Sequence, residues 1–477
     1  MEYPDLTLFI GGAWRKTSDT LPVVNPATEG EIGRVPVATS KDLDDALDAA
    51  EAGFQVWSRT SPRERSDVMM RAARLMRERI DEIAYAITIE HGKPYRQAQL
   101  EVIRGAEFFE WDAGEAQRLY GRVIPGVEGI RHTVLRQPIG QVAAFSPWNF
   151  PMSQPARKIA GALASGCSVI LKAAEETPGG AVHIARAFQD AGLPDGVLNL
   201  VFGVPSDISG HLIPDDRIRL VAFTGSTVVG RNLTTMASEN MTPVLMELGG
   251  HAPVIVCDDV DPQVVSPICA DRKYRNAGQV CTSPTRFYVD EGLFGSFADG
   301  FVTRAKSVVV GDGMGDGVQM GPVANDRRLA AMSMLVEDAV ASGAELLAGG
   351  ARIGNAGYFF EPTVLANVPD TARIMTEEPF GPIAIINPVR SLDDGIAQAN
   401  KLPYGLAAYG FTHSASNAFE MAERVETGNL SINTLEASLP ETPFGGVKWS
   451  GYGREGGEEG LHHYTVVKNV SHKMEIE

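Results

Sequence analysis

From about residue 138 onward, short apolar runs alternate with helix-like segments, and this alternation constrains the fold more than any other feature of the chain. The runs are Gln141–Phe145, Ser168–Lys172, Val197–Phe202, Leu220–Thr224, Val244–Leu248 and Pro253–Cys257. Between several of them lie segments with helical spacing, Pro155–Ala164, Pro178–Ala191 and Ser226–Ser238. A strand that is apolar along its whole length buries both faces, as strands do in a parallel sheet covered by helices on either side. Right-handed βαβ crossovers follow by default. The chain is therefore expected to fold as α/β.

The flanking regions read differently. Residues 40–118 carry apolar positions at helical spacing, with Ser40 and Ser61 as expected caps and Pro62 at a first helical position. A second α/β stretch, rich in glycine turns, runs from about 260 to 457. The tail Tyr464–Met474 alternates as a strand does. It pairs either with another subunit or as an edge strand of its own chain. At roughly 100–200 residues per domain, 477 residues allow two or three domains.

Charge and composition exclude several function classes. A net charge of −18 leaves no basic excess to displace counterions from nucleic-acid phosphates, so no nucleic-acid partner is expected. No apolar run is long enough to span a bilayer, and the start MEYPDLTLFIGG has no basic region followed by an apolar stretch. The expected location is cytoplasmic, with no membrane partner. The four cysteines form neither a disulfide framework nor a metal-ligand spacing, so no metal is expected.

The cysteines differ in context. Cys167, Cys257 and Cys269 lie in apolar runs and read as small buried hydrophobes. Cys281 follows Gly278-Gln-Val and precedes Thr282-Ser-Pro284, a turn-rich loop where a thiol can face a cleft and backbone N–H groups can point at an oxyanion. The residue two positions on is Ser283, so no disulfide can form there.

Seven segments around this cysteine resemble the aldehyde dehydrogenase superfamily in order and spacing. They are Phe145-Ser-Pro-Trp-Asn-Phe-Pro151, Lys172-Ala-Ala-Glu175, Phe223-Thr-Gly-Ser-Thr-Val-Val-Gly230, Glu247-Leu-Gly-Gly250, Gly278-Gln-Val-Cys281, Glu377-Glu-Pro-Phe-Gly-Pro382 and Pro443-Phe-Gly-Gly-Val-Lys448. The resemblance implies a Rossmann-like dinucleotide-binding domain (1–118 and 138–249), an α/β catalytic domain (250–457), and a small β oligomerisation element (119–137 and 458–477) joining a homodimer or homotetramer. It implies that the Cys281 thiolate attacks an aldehyde carbonyl, that Asn149 and the Cys281 N–H hold the oxyanion, and that Glu247 activates the water that hydrolyses the thioester.

The cofactor positions follow the same logic. Gly225 to Gly230 closes a strand and opens a helix, where a helix N-terminus favours a pyrophosphate. The spacing is G-x-x-x-x-G rather than the common Rossmann fingerprint, a departure that the family is similar in showing. Gly230 is followed by Arg231-Asn232, which excludes a nucleoside-triphosphate loop. Lys172 and Glu175 fall at the carboxyl edge of the expected sheet. A carboxylate there accepts bonds from ribose hydroxyls and repels a 2′-phosphate, so NAD is the expected cofactor, with NADP possible. By resemblance, Ser146, Pro147, Trp148, Ser226, Gly249, Glu378 and Phe380 complete the cofactor site.

Arg157, Arg275 and Ser438 resemble the positions where succinate semialdehyde dehydrogenases hold the distal carboxylate of their substrate, and forked guanidinium donors fit a carboxylate. Glu436, in the same expected loop, departs from that pattern and leaves a neutral aliphatic or aromatic aldehyde as the alternative. Retention of Glu247 argues against acyl transfer to coenzyme A. A cysteine hydrolase would need a histidine base, for which His251 is the obvious residue. A non-catalytic structural relative would have lost the nucleophile or the base, and neither is lost.

Overall fold

The structure, a computed structural model, is described for residues 1–474. Helices Ser40–Trp57, Pro62–Glu78, Ile80–His91 and Tyr95–Ala116 occupy the helical region read from the sequence. Ser61 caps the second of these in a capping box with Glu64, with Pro62 in the first turn. The first helix corrects the expected cap: Thr39 is the N-cap, boxed with Asp42, and Ser40 is already helical.

An eight-stranded sheet orders Gly451–Tyr452, Val244–Glu247, Ile218–Thr224, Gln141–Phe145, Ser168–Lys172, Leu198–Val201, Leu8–Ile10 and Ala13–Arg15. Its five central strands are parallel, and antiparallel strands close both edges. Because neighbours are in parallel register, the turns that follow Phe145, Lys172, Thr224 and Glu247 emerge along one edge of the sheet.

A seven-stranded sheet orders Glu345–Ala348, Thr363–Ala366, Ile383–Val389, Arg286–Asp290, Pro253–Val256, Ala407–Phe411 and Asn429–Ile432. Only its first strand is antiparallel. The run Pro253–Cys257, which continues the first alternation in sequence, belongs to this second sheet, because the chain leaves the first one at Gly249-Gly250. The hydrophobic interior divides at the same place. One buried cluster spans Leu6 to Leu248 with Leu461 and Tyr464, and another spans Ala252 to Ala437.

The tail strand Thr465–Lys473 pairs antiparallel with Ile130–Pro138 of its own chain along nine residues, and Arg122–Pro125 flanks the pair. This three-stranded sheet exposes Val123, Ile124, Leu135, Val466, Val467 and Val470, distributed over both of its faces. Among the described residues, no helix is long and apolar enough to cross a membrane.

Candidate active site

Cys281 lies between the two sheets, on the loop joining helix Pro262–Tyr274 to strand Arg286–Asp290. Asn276, Ala277 and Gly278 in succession adopt left-handed backbone, with φ of 54°, 52° and 70°. At Gly278 a side chain is also barred sterically, since a Cβ would lie 2.1 Å from the Gly381 carbonyl oxygen. Buried Gln279 stitches the loop, accepting from the Ala324 N–H at 2.9 Å and donating to the Asn276 carbonyl at 3.2 Å. Cys281 alone among the four cysteines is partly exposed.

It opens on a cavity of about 340 Å³. Asn149 and Glu247 share this cavity with Cys281. Pro147, Trp148 and Phe380 line an apolar wall, Gly225, Ser226 and Gly249 come from turns at the edge of the first sheet, and Glu378 comes from the segment before strand Ile383–Val389 of the second. Ten residues named from sequence thus meet here. The Asn149 side-chain amide donates to the Gln279 carbonyl at 3.1 Å, which leaves its second hydrogen free. Trp148 and Phe380 meet edge to face at 5.5 Å, and Arg328 holds the Phe380 turn through the Pro379 and Phe380 carbonyls.

The electrostatics are acidic. Burial pushes the Cys281 thiol up to about 12, and Glu378 and Glu247 add to the rise while Arg157 opposes it. The Cys281 thiol is therefore held in its protonated form. Burial also pushes the Glu247 carboxyl well above its ordinary range, and repulsion from Glu455 adds to this. Both Glu247 oxygens are buried without a hydrogen-bond partner. Behind Glu247 lies the buried pair Lys158–Glu455 at 2.8 Å. His251 does not line the cavity. Its Nε2 is bonded to the Ile374 carbonyl at 2.8 Å, which removes the base that a cysteine hydrolase would require.

The aldehyde dehydrogenase family model matches residues 14–470. The chain belongs to the aldehyde dehydrogenase family. It is 45% identical over 464 residues to 4-(hydroxymethyl)benzenesulfonate dehydrogenase TsaD1 of Comamonas testosteroni, covering 97% of each chain. It is 37% identical over 476 residues to the NADP(+) succinate-semialdehyde dehydrogenase GabD of Escherichia coli K12, covering 98% of this chain and 99% of that one. Among solved structures, an NAD+ complex of Bacillus cereus aldehyde dehydrogenase superposes with a TM-score of 0.97 at 32% identity, covering 99% and 97% of the two chains. The protein is an NAD(P)-dependent aldehyde dehydrogenase of α/β fold.

The residues of this aldehyde dehydrogenase fit a nicotinamide dinucleotide. Ser226 caps helix Thr227–Ser238, whose N-terminus borders the cavity. Ser146 Oγ and Thr224 Oγ1 are buried donors without partners. A Cβ on Gly249 would stand 2.8 Å from Glu378 Oε2, so a side chain there would displace the Glu378 carboxylate. Lys172 and Glu175 bond to each other beyond the cavity, on the same sheet edge. Gly230 does not line the cavity; a Cβ there would strike Leu248 at 2.3 Å, so it sets how closely helix and strand pack. Burial pushes Glu378 up to about 8.

The two arginines have different surroundings. Arg157, on helix Ser153–Ser165, is buried rather than a surface residue. Its Nη2 donates to Ser438 Oγ at 2.5 Å, and its guanidinium stacks between Phe108 and Phe444 at 4.0 and 4.7 Å. Arg275 shares no hydrogen bond with either residue among those described. Burial and Arg272 push it down to about 10, with Glu436 opposing. Glu436 itself pairs with Arg272 at 3.5 Å, so its charge is partly answered. Sequence reasoning missed Gln154, Arg328, Lys158 and Glu455, and no local pattern marks any of them.

Proposed function

We propose that this enzyme oxidises an aldehyde carrying a distal anionic group, such as the semialdehyde succinate semialdehyde, to the corresponding acid. One observation carries the reading: Arg157 Nη1 is a buried guanidinium donor with no hydrogen-bond partner, beside an Nη2 already fixed by Ser438. An unpaired buried charge is costly, and an anion that reaches it removes the cost. The Phe108 and Phe444 rings beside Arg157 also suit an aryl acid aldehyde, in keeping with the name of the benzenesulfonate relative.

Bound NAD, or NADP, supplies the hydride acceptor. The chain does the rest. The Cys281 thiol gives up its proton to a water molecule as Sγ adds to the carbonyl carbon, and the oxyanion takes a hydrogen bond from the free amide hydrogen of Asn149 and from the Cys281 backbone N–H. Trp148 and Phe380 wall the reacting carbon from bulk water. Once the thioester has formed on Cys281, Glu247 takes a proton from the attacking water. Its lack of hydrogen-bond partners leaves both oxygens available for this. The Glu175 carboxylate, paired with Lys172 at the sheet edge, is suited to accept bonds from ribose hydroxyls, which favours NAD. The exposed valines of the tail sheet are proposed as the surface that joins subunits, which light scattering on the purified enzyme tests.

The test is a panel of steady-state rates with succinate semialdehyde, a carboxylated or sulfonated benzaldehyde, propanal and unsubstituted benzaldehyde, each with NAD and with NADP. The reading requires the anionic aldehydes to have the higher kcat/KM. A panel led by neutral aldehydes would overturn it.

A further inference from the structure

Two buried charges outside the cavity are wired to the proposed oxyanion donor. Lys93 follows Gly92, which closes helix Ile80–His91 in left-handed conformation (φ 87°). This turn has no room to shift, since a Cβ on Gly321 would stand 1.9 Å from the Gly92 carbonyl oxygen and one on Gly313 would stand 2.4 Å from that of Lys93. Tyr95 N–H also bonds the Gly313 carbonyl at 2.9 Å.

From that fixed turn the Lys93 ammonium, 1% exposed, donates to Glu101 Oε2 at 2.5 Å and to the Asn149 carbonyl at 2.9 Å. It also lies 4.2 Å from the centre of the Phe150 ring. The Asn149 carbonyl takes a second bond, from Asn276 Nδ2 at 3.1 Å. Glu101, equally buried, uses its other oxygen to accept from the Met152 and Ser153 N–H groups at 2.8 and 3.3 Å. Helix Ser153–Ser165 has no side-chain cap of its own, so Glu101 serves as its cap from a different helix.

We propose that Lys93 and Glu101 are positioning residues that aim the Asn149 amide at the developing oxyanion. Lys93 fixes the peptide that follows Asn149, and Glu101 fixes the start of the helix three residues later. Between them they leave the Phe145–Pro151 turn no freedom to rotate Asn149 away. A charged donor on a carbonyl is stronger than a neutral one, and in a dry site its geometry is held during the reaction rather than reorganised by it. Arg157 lies on the helix that Glu101 caps, so the same clamp sets the spacing between the reacting carbonyl and the distal group of the substrate.

The proposal rests on the oxyanion role of Asn149, and the test separates the two. The NADH burst is followed in single turnover for the wild type, Asn149→Ala, Lys93→Met and the double variant. Lys93→Met is expected to slow the burst about 30-fold with NAD binding unchanged, and to add no further slowing in the Asn149→Ala background. Multiplicative effects, or a normal burst in Lys93→Met, would overturn the clamp. An unslowed burst in Asn149→Ala would sink the oxyanion reading and the clamp with it. Lys93→Met leaves the Glu101 charge buried and unpaired, which can prevent folding. Lys93→Met with Glu101→Gln removes both charges and keeps an acceptor for Met152, and this pair is carried through the same cycle. A normal burst in the pair variant would show the Lys93–Asn149 bond to be dispensable and would overturn the proposal.

Discussion

Arg157 donates to Ser438 Oγ at 2.5 Å while its other terminal nitrogen stays buried and unpaired. The serine orients the fork, and the proposed reading assigns the second prong to a substrate. Arg157→Ala is expected to lower kcat/KM for an anionic aldehyde by about 30- to 100-fold while changing that for propanal little, because a hydrogen bond to a charged group is at stake. Ser438→Ala should give a smaller loss with the same selectivity. Equal losses on both substrates, in steady-state assays, would show Arg157 to be a structural charge.

Substitutions at Cys281 and Glu247 are expected to separate two halves of the reaction. Cys281→Ala is expected to abolish NADH formation and retain NAD binding, measured calorimetrically. Glu247→Gln should keep the NADH burst and lose steady-state turnover by about 100-fold or more, since the amide cannot accept the proton of water. Burial and Glu455 raise the Glu247 carboxyl, so the ionised base appears only above the ordinary carboxylate range. Turnover limited by thioester hydrolysis therefore rises with pH through that titration, and Glu247→Gln flattens the rise.

Glu175 is expected to set the cofactor preference. Glu175→Ser removes the charge that opposes a 2′-phosphate and frees Lys172 from its present partner. The ratio of kcat/KM for NADP over NAD should increase about tenfold or more, as expected when repulsion gives way to attraction at close range. An unchanged ratio would move the discrimination elsewhere.

Asp112 predicts a pH effect on stability rather than on rate. It is buried on helix Tyr95–Ala116, and burial pushes its carboxyl up to about 8, with Glu455 and Glu115 adding and Arg157 opposing. The folded chain therefore holds this proton more tightly than the unfolded one. That stability is present in full below the ordinary carboxylate range near pH 4 and is lost as pH rises toward about 8. Asp112→Asn cannot ionise, so its melting temperature relative to the wild type should climb from pH 5 to pH 8. A constant difference would show that Asp112 ionises normally.

The strands and the residues that gather at the cavity were legible because their signals are local. Apolar runs mark buried parallel strands, and six of the structure's strands overlap the six runs to within two residues at either end. Short motifs carry Cys281, Asn149 and Glu247. The misplaced first cap shows the limit of that reading: Thr39 and Ser40 are adjacent hydroxyl residues, and only the box with Asp42, three residues after Thr39, separates them. Lys93 and Lys158 were invisible for a different reason. Their partners lie 56 residues away at Asn149 and 297 away at Glu455, and no periodicity spans such distances. Arg275 was grouped with Arg157 on motif alone; in the fold Arg272 and Glu436 are among the charges that act on it.

The strand that ends in Glu247 pairs on its outer side with Gly451–Tyr452, with Met246 opposite Tyr452 and Glu247 opposite Gly451. Ser450 adds bonds to the Leu248 N–H at 3.0 Å and to the Gly249 carbonyl at 2.7 Å. During synthesis, the first sheet therefore cannot finish its edge until the ribosome has made nearly the whole polypeptide. A nascent chain interrupted in the second sheet would expose that edge with its acid unplaced. The strand that carries Glu247 therefore depends on the last part of the chain for its edge partner.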